Sequence, residues 1–344
     1  MKTIEKQFDV GFQSTIDISV DKGNIKIWGW ENSACKVIAE SSEAMNFDFD
    51  LTNDYLQLEL TKGQKEIQVY VPKHSKLMVD GSYLNSDISN LNGSLSLENG
   101  KGDIKISNLD GNAIIEMEHG NIELENINGT ILVEKGKGTL KAFKVAGELK
   151  VESGHGNMEL TSLNGECYVE SGKGDIVVQE GKGNMNLYCG HGDLTLDYCT
   201  FKRLAAEGKG GTKIIVSSEQ DGVWNILRNG DFNISAPVTS QLDFKVECRT
   251  LTNNIPGLNF TKYDDLYKGS LGFSPKGTVY IEGAKEAVFE KGNSQGYMDI
   301  CSIDEDEKET LKILEMLKQG IITSDQAEEL LSAIEGTSNL EEVE

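Results

Sequence analysis

An all-β fold, a β-solenoid with 18-residue coils, is predicted by three features of this chain. Gly102, Gly120, Gly138, Gly156, Gly174, Gly192 and Gly210 recur every 18 residues. Gly93, Gly111, Gly129, Gly147, Gly165 and Gly183 repeat nine residues out of phase. Between the two series, apolar residues alternate with polar ones, as in Gly102-Asp103-Ile104-Lys105-Ile106. Self-similarity at a fixed period marks repeat architectures, in which each unit buries its apolar face only by stacking on its neighbours.

Each repeat reads as a glycine turn, a short strand, a second turn and another short strand. Positions 104, 122, 140, 158, 176 and 194 are Ile, Ile, Leu, Met, Ile and Leu. Positions 97, 115, 133, 151, 169 and 187 are Leu, Ile, Val, Val, Val and Leu. A period of two places these side chains inward. Gly supplies the positive φ of tight corners. Stacked coils advance by about 4.8 Å each.

Composition agrees. Of 344 residues, 37 are Gly and only four Pro, which suits many repeated turns, and 38% hydrophobic content does not favour a thick globular core. The net charge of −23 disfavours nucleic-acid backbones and anionic membrane surfaces as partners. The start, MKTIEKQFDV, has no apolar leader region, and no segment reaches the ~18 apolar residues of a membrane helix. Six cysteines without a CxxC pair suit a reduced chain. A cytoplasmic location is expected, with envelope association or export by a route without a classical leader kept open.

The regular repeat covers 91–217, preceded by an N-terminal β-cap region over 1–90 and followed by irregular β-coils and a cap over 218–303. From 305 the apolar period becomes helical. An αα-hairpin is expected over 304–336, with an acidic tail at 337–344. Gly320 fits a helix stop and Thr323…Gln326 a capping box. Residues 304–344 hold 13 acids and three bases, a net −10. Leu311, Leu314, Leu317, Leu330, Leu331 and Ile334 are the candidate contacts for a protein partner, a second copy or the solenoid itself.

GNIKIWGW at 23–30, VYVPKHSKLMV at 69–79 and repeated turns such as Gly172-Lys173-Gly174-Asp175-Ile176 resemble the bacterial "putative adhesin" β-solenoid domain of unknown function. That likeness covers roughly 10–300. LKILEMLKQGIITSDQAEELLSAIEG at 311–336 is similar to the short C-terminal domain family. The pairing implies a β-solenoid and a context of cell-envelope stress responses. It implies no catalytic residues.

The most ordered polar feature is a cationic column at the corner: Lys101, His119, Lys137, His155, Lys173, His191 and Lys209. Beside it runs an acidic column, Glu98, Glu116, Glu134, Glu152 and Glu170. The cationic column is a candidate binding face for a repeating polymer or glycan. Like charges stacked at ~4.8 Å repel, so mutual offset of two solvated columns is the plainer reading. Lys–His alternation makes a pH-sensitive face a further expectation.

No metal and no cofactor is expected. His119, His155 and His191 stand two coils apart, too far to share an ion. The Gly-Gly-x-Gly-x-Asp motif of calcium β-rolls is missing, because Asp103, Asn121, Thr139, Asn157, Asp175 and Asp193 vary where it needs constancy. No phosphate loop opens a helix. Three readings follow in order: a non-enzymatic scaffold or interaction protein, a surface adhesin for glycan or protein, and a polysaccharide-acting enzyme.

Overall fold

A computed structural model describes residues 2–41, 47–60 and 64–292, all within one unit, Met1–Ser294. The hairpin expected over 304–336, its candidate contacts Leu311, Leu314, Leu317, Leu330, Leu331 and Ile334, and Cys301 lie outside the described residues.

The described chain is strand and turn throughout, and its strands pair into one continuous stack. Parallel partners are offset by one repeat: Ile122 lies against Leu140, Leu140 against Met158, and Met158 against Ile176. Rungs therefore stack in register, and inward positions make continuous apolar columns. In the rung Ile122–Lys137, the side chains of Ile122, Leu124, Ile127, Ile131 and Val133 are buried while Glu123 and Glu134 face solvent. Each such aliphatic side chain stabilises by roughly 1.5–3 kcal/mol once removed from water. A lone rung has nothing to bury it against, so the gain exists only between rungs.

The corners decide which residues are permitted. Gly138 has φ +121, and a Cβ there would lie 1.8 Å from the carbonyl oxygen of Gly120 one rung before. Gly165, in the second glycine series, has φ +142 and would meet Gly147 O at 1.9 Å. Both series therefore arise from backbone packed on backbone. A third corner uses left-handed residues that keep their side chains: Asn90, Asn108 and Asn126 have φ of 60, 53 and 55. Asparagine tolerates this conformation. Here the amides also form a ladder, Asn126 Nδ2 donating to Asn108 Oδ1 at 3.2 Å and Asn108 Nδ2 to Asn90 Oδ1 at 3.2 Å. Lys144, Ser162, Glu180 and Tyr198 continue the column with the same backbone.

The residue after each corner glycine has a structural duty. Asp103 Oδ1 accepts from the backbone N–H of Asn121 at 3.0 Å, and Asp175 Oδ1 from that of Asp193 at 2.9 Å. Asn121 Oδ1 accepts from Thr139 N at 3.0 Å. Any short side chain with an oxygen acceptor at this distance serves, which accounts for the mixture of Asp and Asn.

One inward column is polar. Register aligns Asn99, Met117, Lys135, Ser153, Ser171, Cys189, Gly208 and Arg228 in successive rungs. Asn99 bonds both the N–H and the carbonyl of Leu84, Lys135 donates to Gly138 O, and Arg228 Nη2 donates to Gly192 O at 2.6 Å. These side chains tie down corner carbonyls from inside. Ser153 Oγ and Ser171 Oγ are buried without a hydrogen-bond partner. Cys35, Cys167, Cys189, Cys199 and Cys248 are free and buried, and burial raises the thiols of Cys35, Cys167 and Cys199 to about 12.

The stack extends in both directions beyond the regular repeat, and both ends interleave. Thr15–Trp30 sits between Lys76–Leu91 on one side and Tyr55–Leu60 with Gln64–Pro72 on the other. At the far end, Gly277–Lys291 inserts between Val223–Ala236 and Leu242–Asn253. Antiparallel strands then cover the outermost rungs: Ala34–Ser41 and Phe47–Thr52 at one end, Leu266–Leu271 and Asn259–Tyr263 at the other. They pair the parallel edges of Tyr55–Leu60, Gln64–Pro72 and Leu242–Glu247, on which further chains would otherwise add.

Two predictions follow from the packing. Gly138→Ala is expected to destabilise by roughly 3 kcal/mol or more, through backbone clash and strained φ together. Gly136→Ala is expected to cost less than Gly138→Ala, because Gly136 has no positive φ and its column already carries Ser82 and Glu118, although a Cβ there still comes within 2.5 Å of the Glu118 carbonyl oxygen. Denaturation midpoints of the two variants check the contrast, and equal losses would reject the backbone-contact explanation.

Burial lowers the Lys135 amine from 10.5 to about 8. Below pH 8 the charged amine costs stability in full. Between pH 8 and 10.5 the folded state sheds its proton first, so this lysine makes stability rise with pH, by about 3 kcal/mol for a fully dry amine and about 1–2 kcal/mol once solvent reaching the amine is allowed for. Lys135→Met, which copies Met117 one rung away, should abolish that rise. Identical pH slopes for the two proteins would show a solvated amine.

Candidate ligand-binding face

Outward positions of each rung between Gly111-type and Gly120-type corners form one broad face. Its central column runs Asp80, Glu98, Glu116, Glu134, Glu152, Glu170, Tyr188, Glu207, Leu227, each aligned with the next by strand register. A flanking column runs Met78, Ser96, Ile114, Leu132, Lys150, Tyr168, Asn186, Ala205, Asn225, Tyr280. The third column is mostly glycine, at Gly100, Gly136, Gly154, Gly172 and Gly190. Missing side chains there leave the face concave.

Among the described residues, three clefts lie along it. The largest, about 620 Å³, is lined by Asp80, Glu98, Glu116, Glu118 and Glu134, with Lys101 and Tyr83. A second, about 190 Å³, adjoins it at Asp80 and includes Asp21 and Glu59. The third, about 330 Å³, lies further along and is lined by Lys150, Glu152, Tyr168, Glu170, Tyr188 and Glu207. The opposite face has a cleft of about 450 Å³ whose Asn85, Asp103 and Asn121 oxygens already serve the ladder described above.

The cationic residues expected to form a column do so. Lys101, His119, Lys137, His155, Lys173 and His191 are aligned by register, Lys209 follows through the Gly192 N–H to Lys209 O bond, and all seven are exposed. Lys101 stands 5.6 Å from the centre of the Tyr83 ring. The offset expected between cationic and acidic columns takes a different form: among the described residues, no ion pair joins them. Lys150 instead pairs with Glu152 at 2.8 Å within its own strand. Its amine is raised by that hydrogen bond first, then by the charges of Glu152, Glu134 and Glu170.

Two features of this region escaped the sequence reading. The exposed tyrosines Tyr168 and Tyr188 stand at outward positions, which inward-column alignment passes over. Their signal was an aromatic residue where neighbouring repeats carry Lys or Glu. The polar inward column was visible as a broken apolar series at 99, 117, 135, 153, 171 and 189.

Among solved structures, the chain is similar to a "putative cell adhesion protein" from Clostridium sporogenes at 12% identity, covering 85% of this chain and 100% of that one with a TM-score of 0.18. It is similar to a "putative adhesin" from Parabacteroides merdae at 12% identity, covering 68% and 96% with a TM-score of 0.26. Among curated proteins no relative matches. Residues 308–339 match a SHOCT-like domain, and residues 9–245 match the Toastrack DUF4097 family. The match spans the stack from before its first rung into its outermost C-terminal one, and this chain belongs to the Toastrack DUF4097 family.

Proposed function

We propose that this chain is a non-enzymatic, adhesin-like interaction protein that holds an extended partner along the concave acidic face. The supporting observation is the column from Asp80 to Glu170, six carboxylates on successive rungs, floored by stacked strands and bordered by glycine. Rigid spacing of about 4.8 Å along the axis suits a partner that is itself linear and repeating. The carboxylates select against polyanions, so an anionic polymer would have to use the cationic corner column of Lys101, His119, Lys137, His155, Lys173, His191 and Lys209 instead. Acid–base catalysis needs two groups whose environments separate their proton affinities. Rows of equivalent carboxylates do not favour such a pair.

In this reading residues 304–336 form an αα-hairpin that engages a protein partner or a second copy, and the protein works in envelope stress, as a cytoplasmic or envelope-associated scaffold. Surface adhesion to a glycan or protein is the second reading, which the two exposed tyrosines favour. Protease shaving of intact cells separates them, since loss of the chain selects the surface adhesin.

The test of the face is binding of the full chain to isolated bacterial envelopes, beside a variant carrying Glu98→Lys, Glu116→Lys and Glu134→Lys. A loss of about tenfold or more is expected. Equal binding by both proteins would move the contact off this face. For the hairpin, removing 304–344 should lower the solution mass from oligomer to monomer, and an unchanged mass would reject self-association.

A further inference from the structure

Resting on the proposed use of this face, we infer that the cleft between Lys150 and Glu207 is a subsite for an amino-sugar oligosaccharide, one whose rings carry free protonated amines.

The chemistry comes from a change in the carboxylate column. At the rung after Glu170 the column carries Tyr188, and the next rung returns to Glu207. One aromatic ring therefore stands between two carboxylates along the axis, each about one rung away. Tyr188 is 49% exposed, and among the described residues no ring or cation packs on it. An ammonium group over that ring gains attraction from the aromatic face and from both carboxylates. The cation lining this cleft, Lys150, is held by Glu152 at 2.8 Å, and among the described residues neither Glu170 nor Glu207 forms a salt bridge.

Tyr168 supplies the second requirement. It is 41% exposed, lies beside Asn186 in register, and shares the cleft of about 330 Å³ with Tyr188. A flat ring bordered by an amide and carboxylates stacks on the apolar face of a pyranose while its hydroxyls find polar partners. One rung is close to the advance of one sugar in an extended chain, so an amine over Tyr188 and a ring on Tyr168 belong to neighbouring sugars.

Other occupants fit less well. A β-strand peptide needs free backbone groups, and here the strands on both sides are paired. A strongly acidic partner is repelled by the column. Polyuronic acids fail for the same reason.

The experiment is titration calorimetry of the full chain with a glucosamine tetramer, an N-acetylglucosamine tetramer, an oligogalacturonate and tetralysine. The glucosamine tetramer should bind, the acetylated one about tenfold more weakly, and the galacturonate not measurably; rising salt should weaken the first. Tyr188→Ala and Tyr168→Ala should each lose about tenfold, and Tyr188→Phe should keep binding. Exposed side chains make these variants fold normally, checked by thermal melts. Tetralysine binding as tight as the sugar, or alanine variants without effect, would overturn the subsite. No sugar binding alongside envelope binding that still depends on Glu98, Glu116 and Glu134 would overturn the subsite and leave the face. Loss of both would reject the face as well.

Discussion

Contact between corner backbones of successive rungs is the constraint on which this molecule depends. Each corner glycine carries its Cα directly against the carbonyl oxygen of its counterpart one rung before, as Gly138 does on Gly120 and Gly156 on Gly138. Nothing larger than hydrogen fits. The backbone can then hold the rungs of the regular repeat at strand spacing, and strand register is uniform from rung to rung until it shifts by one residue after Gly183. The apolar columns follow from that uniformity, since Ile, Leu, Val and Met side chains stack on their own kind only if the rungs do not slip.

Tight corners also make the interior narrow. There is room for about three inward side chains on each half-rung, and near the corner the carbonyls crowd inward. That is where Asn99, Lys135 and Arg228 replace aliphatic residues, because corner carbonyls need donors as well as cover. A buried lysine and a buried arginine are costly when unpaired. Here each donates to a corner carbonyl, Lys135 to Gly138 O and Arg228 to Gly192 O. The same logic governs the ends, where interleaved rungs and antiparallel strands satisfy edges that a simple stack would leave open.

Those faces differ because their side chains have different prior commitments. On one, asparagine and aspartate oxygens are consumed by backbone N–H groups one rung on. On the other, glutamates are longer, reach beyond the backbone and stay free of ladder duties. An exposed pair such as Lys150–Glu152 adds little stability. Its effect is to quench the local cation and leave the acidic field intact around Tyr168 and Tyr188. The side chains of this face are outward residues that contribute little to folding.

The sequence by itself determined the solenoid, its 18-residue period, the inward apolar columns and the alignment of Lys101, His119, Lys137, His155, Lys173 and His191. A repeat copies each local decision at a fixed interval, so glycine spacing and period-two alternation carry the register directly. Only the tertiary structure decided what covers the ends, since Thr15–Trp30 and Gly277–Lys291 insert out of chain order and no local pattern encodes that exchange. It also decided that Asp103 and Asp175 serve the backbone while Glu116 and Glu134 face a cleft. Both kinds of residue are acids at regular spacing. What separates them is side-chain length against the distance to the next rung, which exists only once the rungs are stacked.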